Sequence, residues 1–495
     1  MSYSLNTTII KPISNQKPKN AVILCHGYGG DGKDISILAN YWKNFLPDTV
    51  FICPDAPETC SVNPSGFQWF DLTSDSADQI LTQSIVAELK LNKSVFIDID
   101  PKRNHTLQRF YHVSILKDLR KRKDKDKEVT LIMYKHILRK GRFYLDWVRS
   151  SKYIYPIYKN YIKKKIGSNA ELIHIIKKNY IDIIIHPTVL NGLFVNDLLD
   201  ISKKLDIPNI FLINSWDNPS TKSLMYGHPD KIFVWGEQTK NHAIKFLNIP
   251  EENIVISGAA QFEFYKYPDK IDNQHYVKMI KNKSNYKLIC YAGSSKGLNE
   301  MHHLKILDDF INKNNINIKI LYKPHPWKDF HKDEKNFFDY NFVNILMDPL
   351  SKDNYLSLLR NEYFNLDLIN QESNIIVLKS VDALITPVST ILLEAAFLGK
   401  PIAVYLSNDN LSLKSHFNVA SQRIQYTEFY SLIEPLLCED IKELGSTINQ
   451  LVKLSQDSEY CENLKNKIQK CNLFHKLSYS NQLKLTINKL LNEKK

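Results

Sequence analysis

Three polar side chains, Ser389, Thr390 and Glu394, lie in a stretch whose pattern suits the binding of a phosphate and a sugar. Residues 381–406 contain an apolar run, a proline, the two hydroxyl residues, an apolar run at helical spacing, a glycine and a second apolar run. This order predicts a strand, a helix that begins near the hydroxyl residues, and another strand. The N–H groups and positive dipole end of such a helix suit a phosphate, and Glu394 can accept hydrogen bonds from a ribose diol. A plain capped crossover helix with a solvated Glu394 is the alternative.

Two other loops place polar residues directly after predicted strands. Gly293-Ser294-Ser295-Lys296-Gly297 follows a strand at 286–291, and its small residues would let a phosphate approach the backbone closely. Lys323-Pro324-His325-Pro326 follows a strand at 318–322. As an imidazolium, His325 could neutralise or protonate a leaving oxygen. The alternative is a structural histidine that caps the end of the strand.

The Ser389-Thr390 pair, Glu394-Ala395-Ala396, Gly399-Lys400-Pro401 and the earlier His-Pro pair together resemble the donor-site motifs of GT-B glycosyltransferases. The closer resemblance is to the bacterial capsule, surface-polysaccharide and CDP-glycerol glycerophosphotransferase group. It implies an α/β fold of two Rossmann-like domains facing each other across a cleft. It also implies a nucleotide-sugar donor that is a substrate, no separate cofactor and no metal. The donor-binding residues that follow from the three loops are Ser294, Ser295, Lys296, Ser389, Thr390 and Glu394, with His325 as a catalytic residue at the phosphates.

A base for the acceptor hydroxyl is expected at the end of another strand. Asp217 is our first candidate, because it lies in a dense polar cluster, residues 215–222, after a predicted strand at 209–214. His186, at the end of a strand at 181–185, is the second catalytic candidate. An Asx turn before Pro219 is an equally good explanation of Asp217. The resemblance implies an inverting, metal-independent transfer.

These motifs require two α/β halves to position them. We assign residues 91–262 to an N-terminal acceptor domain, 275–430 to a C-terminal nucleotide domain and 431–495 to terminal helices. Within the first half we predict strands at 93–100 and 128–134. Residues 327–372 are polar and aromatic without a clear period, which predicts an insertion or a long active-site loop.

Residues 1–90 have a different character. A strand at 21–25 leads into His26-Gly27-Tyr28-Gly29-Gly30, which resembles the start of the carboxylesterase/phospholipase branch of α/β-hydrolases. In that family the loop supplies part of an oxyanion hole. We expect no G-x-S-x-G nucleophile elbow anywhere in the chain, and neither Gly258-Ala259-Ala260 nor Gly293-Ser294-Ser295 is taken as a substitute. We therefore interpret the segment as a truncated hydrolase module without esterase activity.

The composition indicates which binding partners and which cellular compartment to expect. The 495 residues carry a net charge of +12, which favours anionic partners such as nucleotides, acidic glycans or an anionic membrane surface. Residues 136–165 interleave Lys and Arg with Tyr and Trp. This pattern occurs on surfaces that bind nucleic acid or lipid headgroups. It is more common in amphipathic helices whose lysines extend their charged ends to solvent. Seven scattered cysteines without a CxxC pair, and no signal-peptide core, predict a cytoplasmic protein, peripheral at the inner membrane face. No nucleic-acid partner is expected.

Together these features predict a glycosyltransferase that moves a sugar from a nucleotide-sugar to a surface-polysaccharide or lipid-linked acceptor. Two enzymes of the same architecture remain open, a CDP-glycerol-type glycerophosphotransferase and a sugar-nucleotide epimerase. A non-catalytic scaffold, or an inactive fusion, is the alternative from another class. Saturable nucleotide binding separates the enzymes from the scaffold.

Overall fold

The computed structural model describes most of the chain in two compact units. The boundary falls between Ala259 and Ala260, and the C-terminal helix Tyr479–Asn492 belongs to the first unit. The described residues are 5–27, 29–60, 63, 65–69, 101–138, 143–178, 180–186, 190, 194–221, 223, 225–281, 285–294, 298–326, 328, 335–360, 371–406, 421–469 and 475–493.

The N-terminal part of the first unit forms a small mixed sheet. Strands β1 (Thr7–Ile10), β2 (Asn20–Ile23) and β3 (Thr49–Pro54) take the order β1-β3-β2. Strand β1 runs antiparallel to β3 and β2 runs parallel to it. The helix Gly32–Trp42 begins where Asp31 accepts a hydrogen bond from the Asp34 N–H at 2.6 Å, as expected of an aspartate N-cap. A two-residue hairpin, β4 (Glu58–Thr59) and β5 (Phe67–Gln68), follows.

The rest of the first unit contains a four-stranded parallel sheet. Strands β6 (Ile184–His186), β7 (Asn209–Leu212), β8 (Lys231–Val234) and β9 (Ile254–Ile256) pair in chain order. Every residue of β7 is buried, as in a sheet that is covered on both faces. Helices of this unit include Pro101–Lys121, Asp124–Leu138, Phe143–Arg149, Ile154–Ile166, Ala170–Lys178, Val195–Leu205 and Glu237–His242.

The strand predicted at 128–134 is wrong, because these residues belong to the helix Asp124–Leu138. Their β-branched and apolar residues favour a strand, but tertiary contacts override that preference. Buried Arg122 bonds to Asp118 on the preceding helix at 2.7 Å and to Asp126 on this one at 2.9 Å. These ion pairs hold the two helices together. The other strand predicted in this half, at 93–100, lies outside the described residues.

The second unit is built on a six-stranded parallel sheet. Its strands are β10 (Lys287–Ala292), β11 (Ile318–Lys323), β12 (Ile345–Met347), β13 (Ala383–Thr386), β14 (Ile402–Tyr405) and β15 (Leu436–Cys438). Their order in the sheet is β12-β11-β10-β13-β14-β15. Numbered from the first strand of the unit this is 3-2-1-4-5-6, the order of a Rossmann fold. The predicted α/β class with parallel sheets in two units, preceded by a hydrolase-like segment, is confirmed.

Packing of the second unit is dense around the central strands. Ile289, Tyr291 and Tyr322 of the sheet share one core cluster with residues of the helices Glu300–Asn314 and Leu444–Gln456. A Cβ atom at Gly445 would lie 2.4 Å from the Phe310 ring, so only glycine permits this approach between the two helices. Each large apolar side chain buried in this way contributes roughly 1.5–3 kcal/mol. The helices Gln274–Lys281, Pro349–Leu359, Gln371–Ser380, Ile391–Phe397, Ile424–Ile433 and Ser458–Gln469 complete the unit.

Two parts of this unit differ from the prediction. The region 327–372, expected to be irregular, contains the edge strand β12 and the helix Pro349–Leu359. The region after 431, expected to be helical throughout, contains the opposite edge strand β15. Both strands are only three residues long and only partly buried, so neither produces the long apolar run by which the other strands were recognised.

Candidate functional site

The strand order of the second unit defines one place where a ligand is expected. The chain runs from β10 outward through β11 to β12, and the opposite half of the sheet begins again at β13, beside β10. Open α/β sheets bind their ligands at this switch point, outside the carboxyl ends of the strands. Register pairs Ala292 with Lys323 and Tyr291 with Ile385, so β10, β11 and β13 end at one edge. The three predicted donor-site loops therefore emerge side by side.

A fully buried carboxylate, Glu300, connects two of these loops. Its Oε1 accepts the Ser294 N–H at 2.6 Å, and its Oε2 accepts the Tyr322 hydroxyl at 2.6 Å. The Lys328 ammonium, also buried, lies 3.3 Å from Oε2. A Cβ atom at Gly293 would lie 2.7 Å from both carboxylate oxygens, so the loop packs directly against this side chain. Glu300 thus fixes the loop after β10 to the residues that follow the His-Pro motif.

Sequence reasoning missed Glu300. The available signal was an acid in the first turn of a helix that follows a small-residue loop. Its partners Tyr322 and Lys328 come from a different strand and loop, and only the fold brings them to it.

A second buried ion pair lies at the end of β11. The Lys323 ammonium is 3.8 Å from Asp348, which is itself completely buried. Asp348 also accepts the Tyr276 hydroxyl at 2.7 Å and the Leu350 N–H at 3.1 Å. Because burying an unpaired charge is costly, these bonds explain how a lysine is tolerated beneath the site.

His325 is half-buried next to these charges. Loss of solvation lowers its pKa to about 4; the Glu300 charge opposes this shift, whereas the Lys323 and Lys328 charges add to it. At neutral pH the imidazole is therefore neutral in this environment, whereas the sequence suggested an imidazolium. A neutral imidazole still carries one N–H donor for a phosphate oxygen.

Ser389 and Thr390 lie at the end of β13, directly before the helix Ile391–Phe397. Thr390 occupies the N-cap position, but its side chain makes no capping hydrogen bond. Among the described residues no side-chain hydrogen bond of Ser389 is found either, and both side chains are partly accessible. The helix ends as predicted at a glycine in the left-handed region, Gly399 with φ 66°.

Glu394 is buried on the same helix. Its Oε2 accepts the Tyr265 hydroxyl at 2.6 Å and the Asn374 amide at 3.2 Å, and burial raises the pKa of the carboxyl group. Within the described chain both of these hydrogen bonds end on Oε2, which leaves Oε1 for a ligand. Thr386 Oγ1 and Asn374 Oδ1 are buried polar atoms that have no hydrogen-bond partner among the described residues. Unpartnered atoms of this kind call for an explanation such as a missing ligand.

Ser295 and Lys296, two of the predicted donor-binding residues, lie outside the described residues. Their loop, 293–297, does have the G-x-S-x-G spelling, although Gly293-Ser294-Ser295 was set aside as a nucleophile elbow. An elbow is a sharp turn from strand to helix around the serine. Here the helix begins only at Glu300, whose carboxylate binds the Ser294 N–H. Among the described residues the helix therefore starts after Leu298 and Asn299, and the turn around Ser295 lies outside them.

The candidate bases of the first unit lie at the carboxyl ends of neighbouring strands. His186 ends β6, is buried, and its ring lies 4.9 Å from that of Phe211 on β7. Asp217 follows β7 and is also buried. The neighbouring Asn218 side chain accepts the N–H groups of Asn214 and Ser215, at 3.1 and 3.2 Å. Asn218 thus supplies side-chain hydrogen bonds that shape this turn, and the role of Asp217 stays a prediction.

The histidine loop of the N-terminal sheet is closed on itself. His26 Nδ1 lies 2.8 Å from the Gly27 carbonyl, and its Nε2 accepts the Ala56 N–H at 2.9 Å. The Trp69 indole donates to the His26 carbonyl at 3.0 Å. Burial lowers the pKa of His26, and both ring nitrogens hold the backbone in place. This arrangement is structural and offers neither nitrogen to a substrate.

No group of three or more His, Cys, Asp or Glu side chains in the described part of the chain is arranged to hold a metal ion. None of the described helices combines the length and the apolar character needed to cross a bilayer.

Comparison with protein families identifies only the first segment. Residues 6–102 match the Phospholipase/Carboxylesterase family. The match includes β1–β5 and covers less than half of the chain, so it describes this segment and not the whole protein.

Solved structures resemble the larger part of the chain weakly. The UDP-GlcNAc 2-epimerase from Methanocaldococcus jannaschii aligns with 14% identity and a TM-score of 0.40, over 65% of this chain and 83% of that one. The wall teichoic acid polymerase TagF aligns with 14% identity and a TM-score of 0.38, over 63% and 73%. WaaG, a glycosyltransferase involved in lipopolysaccharide biosynthesis, aligns with 13% identity and a TM-score of 0.38, over 64% and 81%. Likenesses of this strength support no inference about activity.

Proposed function

We propose that this chain is a GT-B-type transferase that binds a nucleotide-activated donor at the switch point of the second unit. The observation that carries the proposal is the convergence of three loops, after β10, β11 and β13, at the point where the strand order reverses. Two of the loops bring polar side chains to that edge, His325 and the Ser389-Thr390 pair. The N–H groups of Gly293 and Ser294 already donate to the Lys323 carbonyl and to Glu300, so the loop after β10 forms the wall of the site. A nucleotide diphosphate is a ligand that can use the imidazole and the two hydroxyls.

Donor phosphates are held mainly by neutral groups in this proposal. The two buried lysines, Lys323 and Lys328, are each balanced by a carboxylate and hold the loops in position. The hydroxyls of Ser389 and Thr390 donate to the phosphate oxygens. His325 first donates a hydrogen bond from its neutral imidazole N–H. The negative charge of a bound diphosphate raises the pKa of His325 above its low value in the free protein, so the ring can take up a proton. The imidazolium can then pass a proton to the leaving oxygen.

The ribose is proposed to lie over Glu394. Tyr265 and Asn374 orient the carboxylate through Oε2, so Oε1 can accept a hydroxyl of the nucleoside. For the acceptor hydroxyl, Asp217 is proposed as the base, with His186 as the second candidate. The transfer is proposed to be inverting and independent of metal, onto a surface-polysaccharide or lipid-linked acceptor in the cytoplasm.

A nucleotide panel tests the proposal on the full chain. Thermal unfolding is followed with UDP, CMP, CDP, UDP-GlcNAc and CDP-glycerol. One base should stabilise the protein saturably, by about 2.7 kcal/mol when the ligand is present at a hundred times its dissociation constant. No stabilisation by any nucleotide would leave the scaffold as the better account.

Product analysis then separates the enzyme classes. Conversion of the sugar nucleotide without an acceptor would identify an epimerase, and turnover of CDP-glycerol alone a glycerophosphotransferase. Acceptor-dependent release of the nucleotide from a sugar donor is the result that we expect.

A further inference from the structure

The helix Ile154–Ile166 of the first unit carries apolar residues on two adjacent faces, one buried and one exposed. Its inner face, formed by Tyr155, Tyr158 and Ile162, is buried. These residues pack with Phe110, Val113 and Tyr226 in one core cluster. The inner face is therefore sufficient to attach the helix to its unit.

The outer face of this helix, which we define as Tyr153, Ile154, Ile157, Tyr161, Lys164 and Lys165, is exposed. At 3.6 residues per turn these positions lie on one side of the helix, next to the inner face. The fractional exposure is 81% for Tyr153, 70% for Ile157 and 56% for Tyr161. Apolar residues this accessible, and aligned along one helix, mark an interaction surface more than single exposed residues would.

The charge around the outer face has a single sign. Between residues 143 and 166 there are six cationic residues, Arg149, Lys152, Lys159, Lys163, Lys164 and Lys165, and one acid, Asp146. Two of the six cations are paired, Arg149 with Asp146 at 2.9 Å and Lys163 with Asp200 at 3.0 Å. Lys164 and Lys165 lie on the outer face itself and are exposed.

We propose that the outer face docks on an anionic lipid bilayer, with the helix lying in the plane of the interface. Tyrosine rings and isoleucine side chains enter the boundary between headgroups and acyl chains, and the lysines meet lipid phosphates. A nucleic acid offers the same phosphate charge, but it offers no apolar layer for Ile154 and Ile157. The two isoleucines therefore favour the bilayer. This inference is independent of the donor site.

Vesicle sedimentation of the full chain tests the proposal. Neutral phosphatidylcholine vesicles are compared with vesicles in which about 30% of the lipid is phosphatidylglycerol. We expect binding to the anionic vesicles that weakens as salt is raised. Tyr153→Ser/Ile157→Ser/Tyr161→Ser should weaken this binding about tenfold or more, and Lys164→Gln/Lys165→Gln should do so about tenfold.

Matched controls use residues of the second unit that are equally exposed. Tyr267 is 60% and Val343 62% exposed, so Tyr267→Ser/Val343→Ser removes comparable apolar surface, and Lys313→Gln removes an exposed charge. These variants should bind vesicles as the parent protein does. Unchanged melting temperatures and nucleotide binding show that the outer-face variants are folded.

Three outcomes would overturn the proposal. The first is the absence of vesicle binding by the parent protein. The second is vesicle binding that the outer-face variants retain. The third is salt-sensitive binding of a single-stranded oligonucleotide that the outer-face substitutions abolish, while vesicle binding is unaffected by the same substitutions.

Discussion

Two loops of this molecule look alike in sequence and differ in what surrounds them. The loop after β2 and the loop after β10 both follow an apolar strand and contain glycine. In the first, both ring nitrogens of His26 and the indole of Trp69 bond to the protein backbone. In the second, the neighbouring loops bring His325 and the hydroxyls of Ser389 and Thr390 to the same sheet edge.

The size of the sheet accounts for the difference. Among the described residues the N-terminal sheet has three strands, and the strand end next to its loop is that of β3, whose Ala56 N–H His26 already binds. The described part of the sheet of the second unit has six strands and a reversal of strand order between β10 and β13. A glycine loop becomes a candidate ligand site when the topology places other loops beside it.

Removing the buried carboxylate of the second loop should have the largest effect. Glu300→Ala leaves the Lys328 ammonium buried without its partner and removes the acceptor of the Ser294 N–H. We expect the free energy of unfolding to fall by about 3–5 kcal/mol, as for other broken buried ion pairs. Urea denaturation measures it, and Asp309→Ala, which removes the exposed partner of Lys305 on the same helix, is the control. A loss below about 1 kcal/mol would show that Glu300 does not hold the loop.

His325→Ala should reduce turnover about a hundredfold or more while nucleotide affinity changes little, because its N–H acts on the leaving group. Steady-state kinetics and calorimetric titration separate the two effects. His302→Ala is the matched control, since His302 is exposed on the following helix. Turnover at the parental rate would remove His325 from the mechanism.

Glu394→Ala should weaken nucleotide binding by about 1–3 kcal/mol, because a charged acceptor for the ribose is lost. Tyr265 and Asn374 lose their acceptor as well, so a second variant is needed. Tyr265→Phe keeps the carboxylate and removes only one of its donors. Nucleotide binding that weakens in Glu394→Ala, and much less in Tyr265→Phe, supports a direct contact between Glu394 and the ribose. Equal losses of affinity in the two variants would make Glu394 a structural residue.

The low pKa of His325 predicts a dependence of stability on pH. With a folded pKa near 4 and an ordinary value of 6.5, the unfolded chain binds more protons between these values. The stability associated with the neutral imidazole is therefore fully present above pH 6.5 and is lost as the pH falls toward 4. The stability difference between parent and His325→Gln should shrink across this range. A pH-independent difference would contradict the low pKa.

The smallest effects are expected at the first loop. His26→Ala should cost about 1–2 kcal/mol of stability through its hydrogen bonds and leave nucleotide binding and turnover unchanged.

The parent protein should neither hydrolyse a p-nitrophenyl ester nor react with a fluorophosphonate probe. Labelling that disappears in Ser295→Ala would instead assign nucleophilic chemistry to the 293–297 loop.

The stretch 381–406 could be predicted from sequence because its elements are long apolar runs separated by proline and glycine. Its strands, its helix and the left-handed Gly399 lie where the pattern placed them. The edge strands β12 and β15 could not be predicted in this way, since three residues carry too little periodicity. The helix Asp124–Leu138 was missed because contacts made across Arg122 override its strand-like residues.

Site chemistry was predictable where one residue type carries the signal, as for His325 and the Ser389-Thr390 pair. It was not predictable where the environment decides. The neutral state of His325 follows from burial beside two lysines, and the role of Glu300 follows from partners on β11 and the loop beyond it. Neither environment is local in sequence.

A crystal structure of the full chain with the nucleotide that stabilises it most is the most direct test of the donor site. We expect a phosphate within hydrogen-bonding distance of the Ser389 and Thr390 hydroxyls, with His325 on the same phosphate group and Glu394 at the ribose. A nucleotide bound away from the carboxyl ends of β10 and β13, or His325 more than about 10 Å from the phosphates, would contradict it.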